Sequence, residues 1–268
     1  NGNVIYLYTN DPVSQNSFVG AARDKGYDVL VMDGQLDTHF IGWFENKNQG
    51  TRFVRVDADV VDKLIEKENN LKMALSSAQQ DLLRPVFEAQ LPAEDKIRYT
   101  VSFEPMAENQ MPVMITQNEF MRRMKDMAAM GGSGMQFYGQ LPDNFNVVIN
   151  GNHPLVAEIL GEVEASYGDK LKTTNKKLDA AIAEQRSFEE LVKDKKAEDF
   201  SQEEKDKQQE VDKKVEDLRR QRTERLTEIG RENKLVKQVV DLALLSNSML
   251  KGENLTNFIR RSVELIGK

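Results

Sequence analysis

The chain has 268 residues, of which 39% are hydrophobic and 30% charged, and its net charge is −7. A chain of this length predicts two domains, or one domain with extensions. The acidic balance argues against a nucleic-acid partner, which would require a basic surface. Because the chain has no cysteine, disulfides, thiol nucleophiles and thiolate metal sites are excluded, and a cytoplasmic location is expected.

Other features that the sequence lacks exclude further kinds of site and partner. The two histidines, His39 and His153, lie too far apart in sequence for a typical histidine metal site. No apolar run reaches the roughly 18 residues that a membrane span needs, so we expect no membrane partner. The first three residues lead into a predicted strand without Met and without a signal-peptide pattern. We therefore expect the chain to be a piece of a longer protein.

Residues 1–69 predict a small three-layer α/β/α domain. Short β-rich runs at 4–8, 29–32 and 53–56 alternate with two helical patterns. The helical patterns carry the apolar residues Phe18, Val19, Ala22, Phe40, Ile41, Trp43 and Phe44. This β-α-β-α-β order predicts a parallel sheet covered by helices, with Phe40 and Phe44 buried against it.

Residues 70–161 predict the first part of an α+β domain. The patterns give a helix at 71–91, strands at 97–103, 112–116 and 145–149, a Met-rich helix at 118–130, and a helix that starts at Pro154. A Gly-Gly-Ser-Gly segment follows the Met-rich helix and offers a hinge.

Residues 162–232 are charged at almost every second position, with both signs interspersed. Their sparse apolar residues, at steps of three, four and seven, are Leu171, Leu178, Ile182, Val211, Val215, Leu218 and Leu226. This spacing is typical of a coiled-coil seam. Ser201 and Glu204 have the form of a capping box between the two arms. We therefore predict a helical hairpin insertion with its tip near Phe200.

Residues 233–268 predict two apolar helices. The first carries Val236, Val239, Val240, Leu242, Ala243 and Leu245, and the second presents Phe258, Ile259, Ser262, Val263 and Ile266 on one face. The last helix is too short to bury that face by itself. The alternative to a partner surface is a monomeric core.

Three segments are distinctive: VIYLYTND with DKGYDVLVMDGQLDTHFIGWF, NVVINGNHPLVAEIL, and VKQVVDLALLSNSMLKGENLTNFIRRSVELI. In this order they resemble the C-terminal half of the heat shock protein 90 chaperone family, of the bacterial HtpG type. The resemblance covers the chain outside 162–232, where the hairpin is longer than the connector expected in that family.

The resemblance implies a stress-response chaperone that forms a homodimer and binds unfolded or partly folded client proteins. It also implies that ATP and Mg²⁺ belong to an N-terminal ATPase domain that this chain lacks. We therefore expect no cofactor, metal or catalytic residue here, although the parent protein would be an ATPase.

Two helices supply the predicted client-binding residues. Apolar residues at helical spacing are ordinarily core, but methionine adapts to many partners. By resemblance, the Met-rich helix matches an exposed amphipathic helix that helps bind clients, and position 39 matches an aromatic of some bacterial relatives. The predicted client-binding residues are Phe120, Met121, Met124, Met127, Met130, His39 and Trp43. Core packing stays open as the alternative for the Met stripe and for Trp43.

For the C-terminal helices, the resemblance implies a four-helix bundle made from two helices of each protomer. The predicted dimer-interface residues are Leu242, Leu245, Met249, Phe258, Ile259, Ser262, Val263 and Ile266.

Two other classes of function compete with a chaperone. An enzyme has little support, because no Gly-rich phosphate loop follows the first strand and no motif surrounds Ser14. A structural coiled-coil scaffold or adaptor is the stronger alternative. It predicts long-range bridging and little affinity for unfolded protein, whereas a chaperone predicts the reverse.

Overall fold

A computed structural model gives the fold for residues 4–60, 63, 71–129, 136–193, 195 and 200–266. Over these residues the protein is a mixed α+β chain with two three-stranded sheets, which confirms the predicted fold class.

Three parallel strands form the first sheet, in the order β2-β1-β3. They are β1 (Val4–Thr9), β2 (Leu30–Val31) and β3 (Thr51–Arg55), and the helices between them are α1 (Asn16–Asp24) and α2 (Asp37–Lys47). Successive side chains of a strand point to opposite faces. Leu7 packs with Phe18 of α1, whereas Tyr8 packs with Ile41 of α2. The two helices therefore cover opposite faces of the predicted parallel sheet.

Two details of this unit differ from the prediction. β2 contains only Leu30–Val31, and both of these side chains are exposed. Phe40, predicted to be buried, is also exposed, whereas Phe44 is partly buried as expected. The reason is the helix geometry: α2 presents Ile41 to the sheet, and Phe40 lies about 100° around the helix from it.

The second sheet has the order β4-β6-β5, where β6 runs parallel to β4 and antiparallel to β5. Its strands are β4 (Ile97–Glu104), β5 (Val113–Gln117) and β6 (Asp143–Asn150), and α3 (Ser77–Glu88) precedes them. The helix begins at Ser77 and not at residue 71. The reason is a capping box, in which Ser76 Oγ accepts from the Gln79 N–H at 3.3 Å and Gln79 Oε1 accepts from the Ser76 N–H at 2.9 Å.

Seven further helices lie within the described residues. They are α4 (Glu119–Ala129), α5 (Gln136–Gln140), α6 (Pro154–Ala165), α7 (Asp169–Val192), α8 (Gln202–Glu232), α9 (Lys234–Ser246) and α10 (Gly252–Ile266). Two predicted start signals are confirmed. His153 caps α6, with Pro154 as its first residue, and the capping box of Ser201 and Glu204 begins α8.

The main hydrophobic core joins α3, the second sheet, α6 and both C-terminal helices. It also contains Leu171 of α7 and Leu226 and Ile229 of α8. The two charged helices are therefore rooted in the core. At the root, Gln90 donates a hydrogen bond to the Gly230 carbonyl at 2.6 Å.

Beyond the core, α7 and α8 run antiparallel to each other. Leu178, Ala181 and Val215 form a small apolar cluster between them, with Ile182 and Leu218 packed against it. Farther out, Gln185 donates to Asp212 at 2.6 Å. The boundaries at 162 and 232, and the coiled-coil character of the pair, stay predictions.

The contact between α8 and α3 is tightest at Gly230. A Cβ at this position would lie 2.5 Å from the Val86 carbonyl oxygen, closer than side chains tolerate. We expect Gly230→Ala to destabilise the fold by about 1–3 kcal/mol, because packed helices must separate to admit the methyl group. Denaturant unfolding measures the change.

The control is Gly161 of α6, where a Cβ meets nothing within 4 Å. Gly161→Ala should stabilise the chain by up to about 1 kcal/mol, since alanine is the better helix former. Equal effects of the two substitutions would contradict the tight contact.

Candidate functional site

Helix α4 turns its charged face inward. Glu119, Arg122 and Arg123 are largely buried, and they meet residues of the first sheet and of α2. Because buried charges are stable only when paired, this face needs a complete set of partners. Tyr8, Glu45 and the Phe53 carbonyl supply partners, although the buried Glu119 Oε2 has no hydrogen-bond partner among the described residues.

Arg122 and Glu119 form one group with Tyr8 of β1. Arg122 Nη2 donates to the Tyr8 hydroxyl at 2.6 Å and to Glu119 Oε1 at 2.8 Å. The Tyr8 hydroxyl donates to the same Glu119 oxygen at 3.0 Å. Residues more than 110 positions apart are thereby joined inside the protein.

Arg123 forms the second group. Its guanidinium pairs with Glu45 of α2 at 2.8 Å and with Glu119 at 2.7 Å, and it donates to the Phe53 carbonyl of β3 at 2.6 Å. On the other side of the helix, Lys125 pairs with Asp143 of β6 at 2.7 Å. Helix α4 is thus held by charged groups of α2 on one side and of β6 on the other.

The electrostatics of this network follow from burial and pairing. Burial alone would raise the pKa of Glu119, but the two neighbouring guanidinium groups outweigh it and hold the pKa below its usual range. Burial, followed by the negative charge of Glu119, raises the pKa of the Tyr8 hydroxyl. Arg123 also loses solvation, but hydrogen bonds and charge from Glu45 and Glu119 leave its pKa raised. The charged carboxylate and guanidinium groups therefore stabilise one another.

The apolar side of α4 is directed away from this network. Phe120 is 59% exposed and Met127 is 39% exposed, whereas Met121 and Met124 are half-buried. Met130 lies outside the described residues. The predicted stripe is therefore a surface with two open positions and two half-covered ones.

A further aromatic residue lies on the neighbouring helix α5, which packs against α4. Phe137 is 67% exposed. No sequence pattern indicates Phe137, because a five-residue helix is too short to show a periodicity.

His39 and Trp43 of α2 lie on the protein surface. Trp43 is 55% exposed and has Lys47 Nζ 5.0 Å from its ring centroid. Its ring also contacts Phe40 at a centroid distance of 6.1 Å. Core packing of Trp43, the alternative reading, is therefore wrong, while a client-binding role stays a prediction.

The C-terminal helices also present an apolar surface. Ile259 and Val263 of α10 are 54% and 63% exposed, and Leu242 and Leu245 of α9 are marginally exposed. We call these four residues the α9–α10 surface. The other predicted interface residues differ: Phe258 is buried in the main core, Met249 packs against it, and Ser262 hydrogen bonds to Gln238. The side chain of Ile266 lies outside the described set.

A buried carboxylate positions α10 on α9. Asp241 is fully buried, and it pairs with Lys237 one turn earlier and with Arg261 of α10. Phe258 points into the core on the same side of the helix. The inner face of α10 is thus fixed within the chain, and the α9–α10 surface is left outside.

Curated relatives match this chain in sequence over 98–99% of its length. No family model matches. The chaperone protein HtpG of Bacteroides thetaiotaomicron is 42% identical over 265 residues, or 99% of this chain. Those of Bacteroides fragilis and Porphyromonas gingivalis are 43% and 39% identical, over 98% and 99% of the chain. The chain spans about 39% of the length of these relatives.

The chain belongs to the HtpG family. Because the matched stretch is 265 residues long, the charged helices α7 and α8 lie within it. These HtpG relatives therefore share the segment that the resemblance did not explain. The scaffold alternative is not favoured by this similarity to chaperones.

Two further findings concern other kinds of site. Among the described residues, no three acidic or histidine side chains are grouped as a metal ion would require. Within the same residues, no helix combines the length and apolar character needed to cross a membrane.

The lowered pKa of Glu119 predicts that its contribution to stability depends on pH. A carboxylate with a lowered folded-state pKa adds stability above its unfolded-state pKa of about 4.3, and this stability is lost as the pH falls through the folded-state value. Glu119→Gln should cost about 1–3 kcal/mol near neutral pH, as expected for a lost charged hydrogen-bonding group. The difference from the native chain should shrink as the pH falls below about 4.3 and disappear only below the lowered folded-state pKa.

Urea unfolding across pH 3–8 measures this difference. The control is Glu253→Gln on the exposed first turn of α10, which should change stability by less than about 0.5 kcal/mol. A loss at Glu119 that does not depend on pH would contradict the assignment.

Proposed function

We propose that this chain is the client-binding and dimer-forming part of a heat shock protein 90 type chaperone. The observation that carries the proposal is the orientation of α4, whose charged face is buried and whose apolar face has two exposed and two half-buried residues. An amphipathic helix normally buries its apolar face. The reversed arrangement leaves an exposed apolar surface, which commonly marks a site of protein interaction.

The residue types on α4 favour many partners over one. Methionine is flexible and polarisable, so a surface that contains it can adapt to differently shaped apolar segments. The ion pairs of Arg122 and Arg123 keep the helix in place, so the surface does not depend on apolar burial for its stability. Partly unfolded proteins expose the segments that such a surface would bind.

The test removes the open apolar groups of α4. Phe120→Ala with Met127→Ala should lower the suppression of client aggregation several-fold, measured by light scattering of a thermally unfolding client. Stability should change by less than about 1 kcal/mol, because exposed side chains contribute little to the core.

The matched control is Met106, which is 1% exposed in a separate apolar cluster. Met106→Ala should cost about 2–5 kcal/mol and lower the melting temperature. If the α4 double variant melts like the Met106 variant, α4 belongs to the core and the proposal fails.

We also propose that the α9–α10 surface forms a homodimer by two-fold pairing with its copy. An isologous contact needs one self-complementary patch, and two helices from each protomer supply a four-helix arrangement. Phe258 is excluded from this contact because it is buried within the protomer.

The dimer test places charges on the outer face of α10. Ile259→Asp with Val263→Asp should convert a dimer of twice 30.5 kDa into a monomer at tens of micromolar, measured by light scattering. Val13→Asp is the control, since Val13 is an exposed apolar residue on the first unit. A native chain that is monomeric at this concentration would overturn the proposal.

For α7 and α8, we propose a projecting coiled-coil hairpin whose root belongs to the core. The support is the change of surroundings along the helices: Leu171 and Leu226 lie in the main core, whereas Leu178 and Val215 contact each other. Opposite charges such as Lys214 and Glu184, 2.9 Å apart, add a few tenths of a kcal/mol each.

The hairpin test shortens the two arms. Replacement of residues 183–213 by a four-residue Gly-Ser linker should preserve the dimer and the melting temperature, because the rooted residues stay in place. Mass by light scattering and helix content by circular dichroism measure the outcome. Loss of the dimer would show that the distal arms belong to the core, and rapid proteolysis across 184–212 of the native chain would contradict the coiled coil.

The proposal also extends to nucleotide binding, cellular location and the exposed residues of α2. ATP and Mg²⁺ would be bound elsewhere in the whole protein, which would act in the cytoplasm on protein clients and not on nucleic acid or membranes. Client binding by His39 and Trp43 would extend the α4 surface to a second helix.

A further inference from the structure

Strand β4 is the outer strand of the second sheet: among the described strands it pairs with β6, and Ile97 at its start also forms an isolated antiparallel bridge with Glu94. In a parallel pair, residues alternate between bonding to the partner and facing away from it. The Lys96 and Glu104 carbonyls accept from Asp143 and Gly151, so the even-numbered residues face β6. The backbone groups of Ile97, Tyr99, Val101 and Phe103 therefore face the outer edge.

The far half of this edge, at Val101 and Phe103, is closed. Arg84 of α3 donates to the Val101 carbonyl, and its guanidinium lies 5.7 Å from the ring centroid of Phe103. The near half is open apart from the Ile97 N–H, which donates to the Glu94 carbonyl at 3.2 Å. Residues 97–100 are exposed or partly exposed, and within the described residues no hydrogen bond reaches the backbone N–H or C=O of Tyr99.

A groove of about 480 Å³ runs beside the open half. Its apolar lining includes Leu91, Ile97 and Tyr99, and the Tyr99 ring stacks on Phe145 with centroids 6.1 Å apart. The charged lining residues are Glu88, Glu94 and Asp95, and Arg84, which does not line the groove, lies close enough to Glu88 to interact with its charge. Arg98 is even-numbered, so its side chain points to the opposite face of the sheet from Tyr99.

We propose that the open edge of β4 binds an extended client segment rich in lysine or arginine and apolar residues, by strand addition. An unpaired edge is a ready template for another strand, with backbone bonds for affinity and pockets for alternate side chains. Tyr99 offers a donor and an acceptor, and Ile97 offers a carbonyl. Apolar side chains of the segment would enter the groove, and its cations would face the three carboxylates.

The negative charge of the groove favours a basic segment over a second copy of this chain. A second copy paired along the same edge would bring Glu88, Glu94 and Asp95 toward their own copies, which is unfavourable. A basic segment meets the opposite sign. This inference rests on the proposed chaperone function and assigns the chemistry of a second client contact, apart from α4.

The probe is a fluorescent eight-residue peptide of alternating lysine and valine, titrated against the full chain by anisotropy. We expect saturable binding that weakens at higher salt, as binding to carboxylates requires. A peptide with glutamate in place of lysine should bind at least about tenfold more weakly. The lysine peptide with alternate backbone nitrogens methylated should also bind about tenfold more weakly, because it cannot bond to the strand edge.

A variant of the chain tests the position of the site. Glu88→Gln, Glu94→Gln and Asp95→Asn together should weaken lysine-peptide binding about tenfold. The matched control, Asp24→Asn, Asp28→Asn and Glu253→Gln, removes three exposed carboxylates elsewhere and should leave binding unchanged. Hydrogen exchange should show slower exchange of the Tyr99 amide when the peptide is bound.

No binding, equal binding of the methylated peptide, or protection confined to α4 would overturn the inference. The α4 double variant separates it from the proposed function. If Phe120→Ala with Met127→Ala abolishes peptide binding while the carboxylate variant does not, the edge is not the site and the α4 proposal stands. If only the carboxylate variant weakens peptide binding, the result supports the β4 edge as the peptide site. The aggregation-suppression assay then tests the α4 surface separately.

Discussion

The buried ion network of Glu119, Arg122 and Arg123 is the constraint on which the candidate surface depends. Charges that leave water need paired partners, and Tyr8, Glu45 and the Phe53 carbonyl provide them. Once these partners fix the polar side of α4 inside the protein, helix geometry directs the opposite side outward. The exposure of Phe120 is therefore a consequence of where the arginines are bound.

The same physical arrangement recurs in α10. Asp241 is fully buried, and its pairing with Arg261 holds α10 against α9. Ile259 and Val263 are then left on the outer face, as Phe120 and Met127 are on α4. In both places an ion pair with a buried member orients a helix, so that apolar side chains become available for contacts outside the chain. Replacing such a pair as a whole by apolar residues often costs little stability, whereas removing one member leaves a buried charge unpaired and is costly.

This dependence on distant pairs explains what the sequence could and could not predict. Local signals were sufficient for the parallel sheet, the Pro154 helix start and the capping box at Ser201, because each needs only a few neighbouring residues. The Ser76 box was equally local, but the apolar pattern at 71–91 extended past it. The partners of Arg123 lie up to 78 residues away, so no periodicity reveals that its face is buried. Phe258 and Ile259 are adjacent apolar residues, and only the packing of α10 decides which one is buried.

Helix α3 connects the features that the sequence presented as separate. Its Val86 backbone contacts Gly230 of α8, its Arg84 closes one half of the β4 edge, and its Glu88 lines the open groove. Protein interiors are close-packed, so a displacement of α8 at Gly230 must be taken up by α3. A shift of α3 would in turn move Arg84 relative to the Val101 carbonyl, and so change how much of the strand edge is open. The charged helices thus contact the one short helix that borders the groove, although they do not line the groove themselves.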